Sequence, residues 1–511
     1  MASPTPSYAD ALARLSLLQS NRAVTSLFAS PPAASSPKGG DLNALAIPEM
    51  LAWLNRAGYT PASLAATSLR VIHIAGTKGK GSVSALASSI LGQYPDACSG
   101  GGVGLYTSPH VVSVRERIAI NGVPISREKF AKYFFEVWDR LSDAARQAGD
   151  ADPDGPDTKP FYFRFLTILA MHVFVREGLK DAVVECGIGG EYDSTNFLGP
   201  EMVSAAVVTQ LGVDHVGMLG RREDEIAWHK AGIWKTGVKG FTRRLDEGRD
   251  EVMRVLRERA KERGADLVEV GDEVVEGWEG VDGAKLQGPF QRYNMALAVA
   301  AAREHLIKRG VRFAGEFGRD GYSLESMPEE FRRGLKEAML RGRCEVIEDA
   351  EGIKWFIDGA HTDDSLAGVG VWFAGQTKDQ AKDMVRVLLF NQQDRDVSAL
   401  IAAFLKAAKK EGGDETMVFD HAIFTRNEER PPTADEPSRD LTVQTKASEA
   451  LLAIDASTEV SIQDSVDNAV TRVRDIAAQA RREGKVCRVL ATGSFHLIGA
   501  VIKMIDSEAE E

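Results

Sequence analysis

Residues 71–82, VIHIAGTKGKGS, set three glycines, two lysines and a closing serine directly behind an apolar run. The apolar run reads as a buried strand of a parallel sheet, and Lys80 as the start of a helix. Gly76, Gly79 and Gly81, with Thr77 and Lys78 between them, let the backbone turn its N–H groups inward onto an anion. A helix N-terminus aimed at the same spot adds positive potential. Lys80 then reaches the terminal phosphates of a nucleotide, ATP or GTP, and Ser82 faces the metal ion. The spacing is compressed relative to the common P-loop: only Thr77 and Lys78 separate Gly76 from Gly79-Lys80, and Gly81 precedes Ser82. A connecting turn without a ligand is the plainer alternative, and the strand–loop–helix setting weighs against it.

Other polar residues close other apolar runs. Glu185 ends the run 181–186 just before glycines, where an acid in a P-loop protein holds Mg²⁺ beside the phosphates. Capping a turn is its alternative. Asp193, Ser194, Thr195 and Asn196 fit substrate orientation and helix capping about equally. His215 follows a third apolar run, although a lone histidine is more often structural. Lys230, in WHKAGI at 228–233, reads by itself as part of a solvated face. TSPH at 107–110 opens an irregular loop through Arg115, Glu116 and Arg117 to Asn121, and its Ser108 offers Mg²⁺ a weak hydroxyl ligand. In the second half, Asp358 with His361, NQQDRD at 391–396 and TGSFH at 492–496 all follow apolar runs. Three polar strand ends on one sheet form a wall of a crevice.

Positioning these residues requires alternating strands and helices. The pattern predicts an amphipathic helix over 7–19 carrying Tyr8, Leu12, Leu15 and Leu18, a loop over 31–40 and a helix over 48–56. A strand at 103–107 precedes a helix over 126–147 capped by Ser126, an acidic loop over 149–159 and a buried helix over 161–176. Strands at 181–186 and 203–208 and helices at 224–235, 249–263 and 291–308 follow. Near Arg341-Gly342-Arg343 the alternation restarts with strands at 344–348 and 354–357 and a helix around 365–373. It continues through 385–390, 397–406, 416–419, 464–482, 486–491 and 495–505. Residues 426–446, rich in charge and proline, read as an insertion or flexible loop. The expected architecture is α/β: a P-loop, doubly wound N-terminal domain over 1–340 and a smaller Rossmann-like domain over 341–511, with the active site in the cleft between them.

Bulk properties limit the function classes. The length of 511 residues suits two to four domains, and a net charge of −12 disfavours nucleic acid or an anionic membrane as partner. A small anionic substrate stays compatible wherever positive groups converge. Cys98, Cys186, Cys344 and Cys487 are widely separated, which fits reduced thiols rather than disulfides or a zinc site. The most apolar helical stretch, 161–175, contains Arg164 and is too short to span a bilayer, and the start MASP lacks a signal layout. The expected location is cytoplasmic, with a mitochondrial pool if a longer start exists.

Taken in order, these segments resemble the folylpolyglutamate synthase family of Mur-ligase-like ATP-dependent amide ligases. The resemblance rests on residues 8–21, GTKGKGS at 76–82, TSPH at 107–110, FRFLTILA at 163–170, ECGIGGEYDSTN at 185–196, DH at 214–215, HKAGI at 229–233, QRYN at 291–294, DGAH at 358–361 and GSFHLIG at 493–499. The N-terminal segment, FRFLTILA and NQQDRD resemble the eukaryotic type. The resemblance implies that Lys80 binds phosphate with Gly79, Gly81 and Ser82, and that Ser108, Glu185 and His215 hold Mg²⁺. Lys230 matches a lysine that relatives carbamylate, Asn294 a nucleotide-side residue, and Arg343 and Asp358 residues that contact ATP. The loop from Ser108 to Asn121 would border the folate and residues 492–496 the glutamate, with His361 or His496 accepting the amine proton.

The implied activity is ATP-dependent addition of L-glutamate to the γ-carboxyl of reduced folates through an acyl phosphate, with Mg²⁺ and a monovalent cation such as K⁺. The expected protein is a monomer with no nucleic-acid partner and no stable membrane insertion. A dihydrofolate synthase, or a bifunctional form, is the nearest alternative, and a P-loop regulatory ATPase is the non-enzymatic one. His229 and the loops at 149–159 and 426–446 depart from the family pattern without removing a proposed ligand.

Overall fold

The apolar run before the glycine-rich loop forms strand β1 (Arg70–Ala75), buried from Val71 onward. It lies inside an eight-stranded sheet ordered β4-β3-β2-β5-β1-β6-β7-β8. Its partners are β2 (Val103–Tyr106), β3 (Ile118–Ile120), β4 (Val123–Pro124), β5 (Asp181–Glu185), β6 (Val203–Val208), β7 (Lys239–Arg243) and β8 (Asp266–Val270). Strands β2, β5, β1, β6, β7 and β8 are parallel, whereas β3 and β4 run antiparallel at one edge. The sheet is therefore mixed rather than wholly parallel. The register pairs Ile74 with Glu185 and Ala75 with Val208. That register delivers the Gly76 loop, Glu185 and Thr209 to one end of the sheet.

This computed structural model describes residues 6–18, 45–98, 101–245, 248–288, 290–318, 322–377, 383–392, 396–412 and 419–506. The predicted loop over 31–40 lies outside them. Two compact units are present. The first comprises Met1–Pro109, Arg115–Ala284 and Arg292–Ala338, and the second His110–Val114, Lys285–Gln291 and Met339–Glu511.

The second unit contains a six-stranded sheet ordered β13-β12-β11-β14-β10-β9. Its strands are β9 (Glu345–Glu348), β10 (Lys354–Asp358), β11 (Met384–Phe390), β12 (His421–Phe424), β13 (Glu459–Ile462) and β14 (Val486–Thr492). All pairings are parallel except β9 with β10. Alternation along β10 sends Trp355 and Ile357 to one apolar layer and Phe356 to the other, as period-two geometry requires. Thr492 is paired with both Asp358 and Phe390, so three strand ends coincide.

Residues 426–446 are not a loose insertion. Arg439 donates to the Asp464 carbonyl at 2.6 Å, Arg426 to the Asp440 carbonyl at 2.7 Å, and a helix over Thr442–Ile454 takes up the end of the segment.

Asp181 opens β5 at the end of the strand away from Glu185. It accepts from Arg309 Nε at 2.6 Å and pairs with His305 Nε2 at 2.7 Å, while His305 Nδ1 meets Ser204 Oγ at 2.6 Å. All three members of this Ser–His–Asp set are buried. They pin β5 and β6 to the helix Gln291–Lys308 and serve as a structural tie. Among the described residues, no helix is long and apolar enough to cross a membrane.

Candidate active site

The turn after β1 is shaped by two glycines in left-handed backbone conformations. At Gly76 (φ +151°) a Cβ would lie 1.8 Å from Thr209 Oγ1, and at Gly79 (φ +85°) 2.4 Å from Asn294 Oδ1. Neither position tolerates a side chain. The N–H groups of Thr77 and Lys78 both donate to the Gln210 carbonyl, at 2.9 and 3.1 Å. This corrects the expectation that the loop's amides face inward as a set: these two are committed to the strand-side wall. Thr77 Oγ1 donates to the Gly212 carbonyl at 3.0 Å and Thr209 Oγ1 to the Lys78 carbonyl at 2.7 Å. The helix Lys80–Gly92 starts at Gly79, with Gly81 and the buried Ser82 in its first turn.

Two ammonium groups meet one carbonyl oxygen. Lys80 Nζ donates to Gly76 O at 3.1 Å and to Thr77 O at 3.4 Å, and Lys230 Nζ donates to Gly76 O at 2.7 Å. Lys230 is only 2% exposed, which overturns its reading as a solvated face. Burial, reinforced by the charge of Lys80, lowers its pKa to about 7. Its helix, Glu223–Lys230, ends against the turn after β5. A Cβ on Gly190 would lie 2.7 Å from the Lys230 carbonyl, and Glu191 N donates to His229 O at 2.7 Å.

Glu185 is buried at the end of β5, where its Oε2 accepts from Ser108 N at 3.1 Å. The turn that follows is built on Asp193. Its two oxygens accept from Gly187 N (2.9 Å), Ile188 N (3.0 Å), Thr195 N (2.9 Å) and Thr195 Oγ1 (2.6 Å). Asn196 bridges the carbonyls of Glu191 and Gly232. His215 heads a short helix with φ +49°, its Nε2 3.7 Å from Asp214 Oδ2. Although its side chain is 44% exposed, partial desolvation lowers its pKa against the opposing Asp214 charge, helped by the charges of Lys80 and Lys230, which favours the neutral form. The Glu185 carboxylate and the hydroxyls of Ser82 and Ser108 are of the oxygen-donor type that a hard divalent cation such as Mg²⁺ takes, and His215 is the one nitrogen among the expected ligands.

In the second unit, Asp358 ends β10. Its Oδ2 accepts from Cys344 N at 2.8 Å and its Oδ1 from Ala360 N at 2.9 Å. Burial raises its pKa and the Arg343 charge opposes the rise. Arg343 lies between two residues of positive φ, Gly342 and Cys344, with its guanidinium 4.4 Å from the Phe495 ring centroid. His361 Nδ1 stands 3.1 Å from the Gly359 carbonyl, which can only accept, so in the neutral ring Nε2 carries the lone pair. Gln392 Nε2 joins the carbonyls of Gly493 (3.2 Å) and His361 (3.4 Å). Ser494 Oγ accepts from His496 N at 3.1 Å, at the head of the helix Phe495–Ile505. Residues 393–395 of the NQQDRD run lie outside the described residues.

Sequence reasoning missed Thr209 and Gln210 and weighed Asp193 too lightly. Thr209 and Gln210 carried one usable signal: they directly follow the strand beside β1.

A glycine-rich strand–loop–helix turn carrying Lys80 on the first sheet, and Asp358 at a strand end of the second with the Arg343 charge acting on it, are features of two-unit α/β nucleotide-dependent ligases. Comparison with known proteins narrows this. The dihydrofolate synthetase C-terminal domain family matches residues 345–504. Folylpolyglutamate synthase of Saccharomyces cerevisiae (strain YJM789) is 38% identical over 527 residues, covering 98% of this chain and 87% of that one. Among solved structures, Mycobacterium tuberculosis folylpolyglutamate synthase complexed with ADP has a TM-score of 0.63 at 24% identity, covering 90% of this chain and 98% of that one. E. coli FolC in complex with DHPP and ADP scores 0.62 at 22% identity, covering 99% and 100%. The chain belongs to the folylpolyglutamate synthase family.

Proposed function

We propose that the protein adds L-glutamate to the γ-carboxyl of reduced folates at the expense of ATP. The observation that carries this reading is the phosphate loop with Lys80 and Lys230 on one carbonyl, in a chain 38% identical along 98% of its length to a folylpolyglutamate synthase. The folate γ-carboxylate attacks the γ-phosphorus of ATP in line, forming an acyl phosphate and releasing ADP. The α-amine of glutamate then attacks the acyl carbon; phosphate leaves and a γ-linked amide remains.

Lys80 offsets charge on the transferring phosphoryl group, and Arg343 keeps the ATP contact that the family resemblance implies. Ser108, Glu185 and His215 would hold Mg²⁺, which would supply charge neutralisation at the phosphate oxygens. We assign Asn294, which packs on Gly79, to the nucleotide side, as the family resemblance implies. The attacking amine must be neutral, and His361 Nε2 is assigned its proton because Nδ1 is held by the Gly359 carbonyl. Residues 492–496 border the glutamate, and the 108–121 loop borders the folate. Lys230, with a pKa near 7, presents enough neutral amine to add CO₂ and become a carbamate, releasing one proton.

Incubating purified protein with tetrahydrofolate, glutamate, MgATP and K⁺ is expected to give γ-glutamyl-extended folates and stoichiometric ADP by mass spectrometry. Conversion of dihydropteroate in place of tetrahydrofolate, or ATP hydrolysis without an amide product, would overturn the reading.

A further inference from the structure

We propose that the N-terminal helix Tyr8–Leu17 is a positioning element for the 108–121 loop, acting through the Tyr8 ring on Arg115; its catalytic use rests on the folate-binding role given to that loop above. The helix is fixed at its start by a reciprocal cap, with Ser7 N donating to Asp10 Oδ2 at 2.7 Å and Asp10 N to Ser7 Oγ at 3.2 Å. It docks on the helix Arg127–Ala148 through an edge-to-face contact of Tyr8 with Phe130 (5.5 Å) and through Arg14 over Trp138 (5.2 Å). Its buried Ala11 and Leu15 hold the same face inward.

Docking leaves the Tyr8 ring beside two guanidinium groups, Arg115 at 5.8 Å and Arg127 at 5.7 Å. Arg115 is only 8% exposed, and its Nη1 donates to the Ile125 carbonyl at 3.2 Å. A cation so far out of water is steadied by the negative face of an aromatic ring. Arg115 sits in the short helical turn Val114–Arg117, which ends at the base of the loop. There Thr107 N donates to the Arg117 carbonyl at 3.0 Å, and Arg117 stacks on Tyr162 at 5.5 Å. The next residue, Ser108, donates its N–H to Glu185. Tyr8 thus holds Arg115, Arg115 holds the turn, and the turn closes the loop base from which Ser108 reaches the proposed metal ligand.

The full-length variants Tyr8→Leu and Tyr8→Phe test this by amide exchange and steady-state kinetics. Tyr8→Leu is expected to speed exchange at Thr107 and Ser108 and to raise the KM for tetrahydrofolate about tenfold, leaving the KM for ATP within about twofold. Tyr8→Phe keeps the ring and should restore both. Unchanged exchange at Thr107 and Ser108 in Tyr8→Leu would overturn the brace. Faster exchange with an unchanged folate KM would overturn its positioning role and leave the helix a docking element. If Tyr8→Leu does not fold, Arg115→Lys, which keeps the charge and loses the planar group, carries the same expectations and the same two failures. A wild-type protein that makes no folate product refutes the assigned activity instead, and the exchange measurement then decides the brace alone.

Discussion

Two lysine side chains sharing the Gly76 carbonyl make the glycine-rich loop a charge-sensitive point. Lys230 has its pKa lowered from 10.5 to about 7. The unfolded chain therefore binds a proton that the folded chain releases between about pH 7 and 10.5. Stability rises with pH across that window, by at most about 1.4 kcal/mol per pH unit from one such group. Lys159 and Lys235, each brought to about 8 chiefly by burial, act in the same direction, so the readout is a difference between proteins. In CO₂-free buffer, the stability of Lys230→Met relative to wild type should decline as pH rises from 7 to 10, measured by urea unfolding. A gap constant with pH would show that Lys230 stays charged in the fold. For Lys80, replacement by alanine is expected to abolish turnover while the far-UV spectrum and melting temperature stay close to wild type; near-normal activity would remove its phosphate role. Lys80 was legible because its reason lies within seven residues of chain. Lys230 was not, since its burial depends on a carbonyl 154 positions away and on the missing side chain of Gly190.

At the scale of elements, sheet register does the assembling. Pairing Ile74 with Glu185 and Ala75 with Val208 forces the loop, the acid and Thr209 to one end without any further interaction. The turn after β5 must then hold its shape next to Glu185, and Asp193 supplies that by accepting four hydrogen bonds. Asp193→Asn keeps the size but sets an amide donor against N–H and O–H donors. The expected cost is about 1–3 kcal/mol, with a weaker Mg²⁺ dependence of ATP binding, read by thermal unfolding and by metal titration. An unaltered Mg²⁺ titration would show that Glu185 needs no support from the turn. The central strands were legible because short runs dominated by apolar residues, such as VIHIA at 71–75 and VSAAVV at 203–208, leave few other choices. Strands β7 and β8 were not: KGFTR is bounded by charges with a single large apolar residue, and DLVEV carries two acids in five residues at the sheet edge, so both resemble surface chain. The 426–446 segment misled for the converse reason, since Arg426 and Arg439 each hold a distant backbone carbonyl of the same region, which its charge-rich composition does not reveal.

At the scale of the whole molecule, each unit has its own sheet, and the second has apolar layers on both of its faces. Thermal unfolding of such a chain need not be a single transition, so a melting temperature alone is a poor measure of ligand binding. The ligand-induced shift is better, because it cancels whatever a substitution does to the free protein. A nucleotide at about one hundred times its Kd stabilises the state it binds by about 2.7 kcal/mol, which moves the transition of the unit that binds it by a few degrees. Lys80→Ala should lose this shift with MgATP or a non-hydrolysable analogue. Arg343→Ala is the more telling variant. Removing it withdraws the charge that opposes the raised pKa of the buried Asp358 and frees the Phe495 face, so the unliganded protein should melt lower. If Arg343 also holds the nucleotide, the shift itself must shrink in the transition that wild-type nucleotide moves. A full-sized shift on a lowered baseline would make Arg343 a structural partner of Asp358 and leave nucleotide binding to the glycine-rich loop alone.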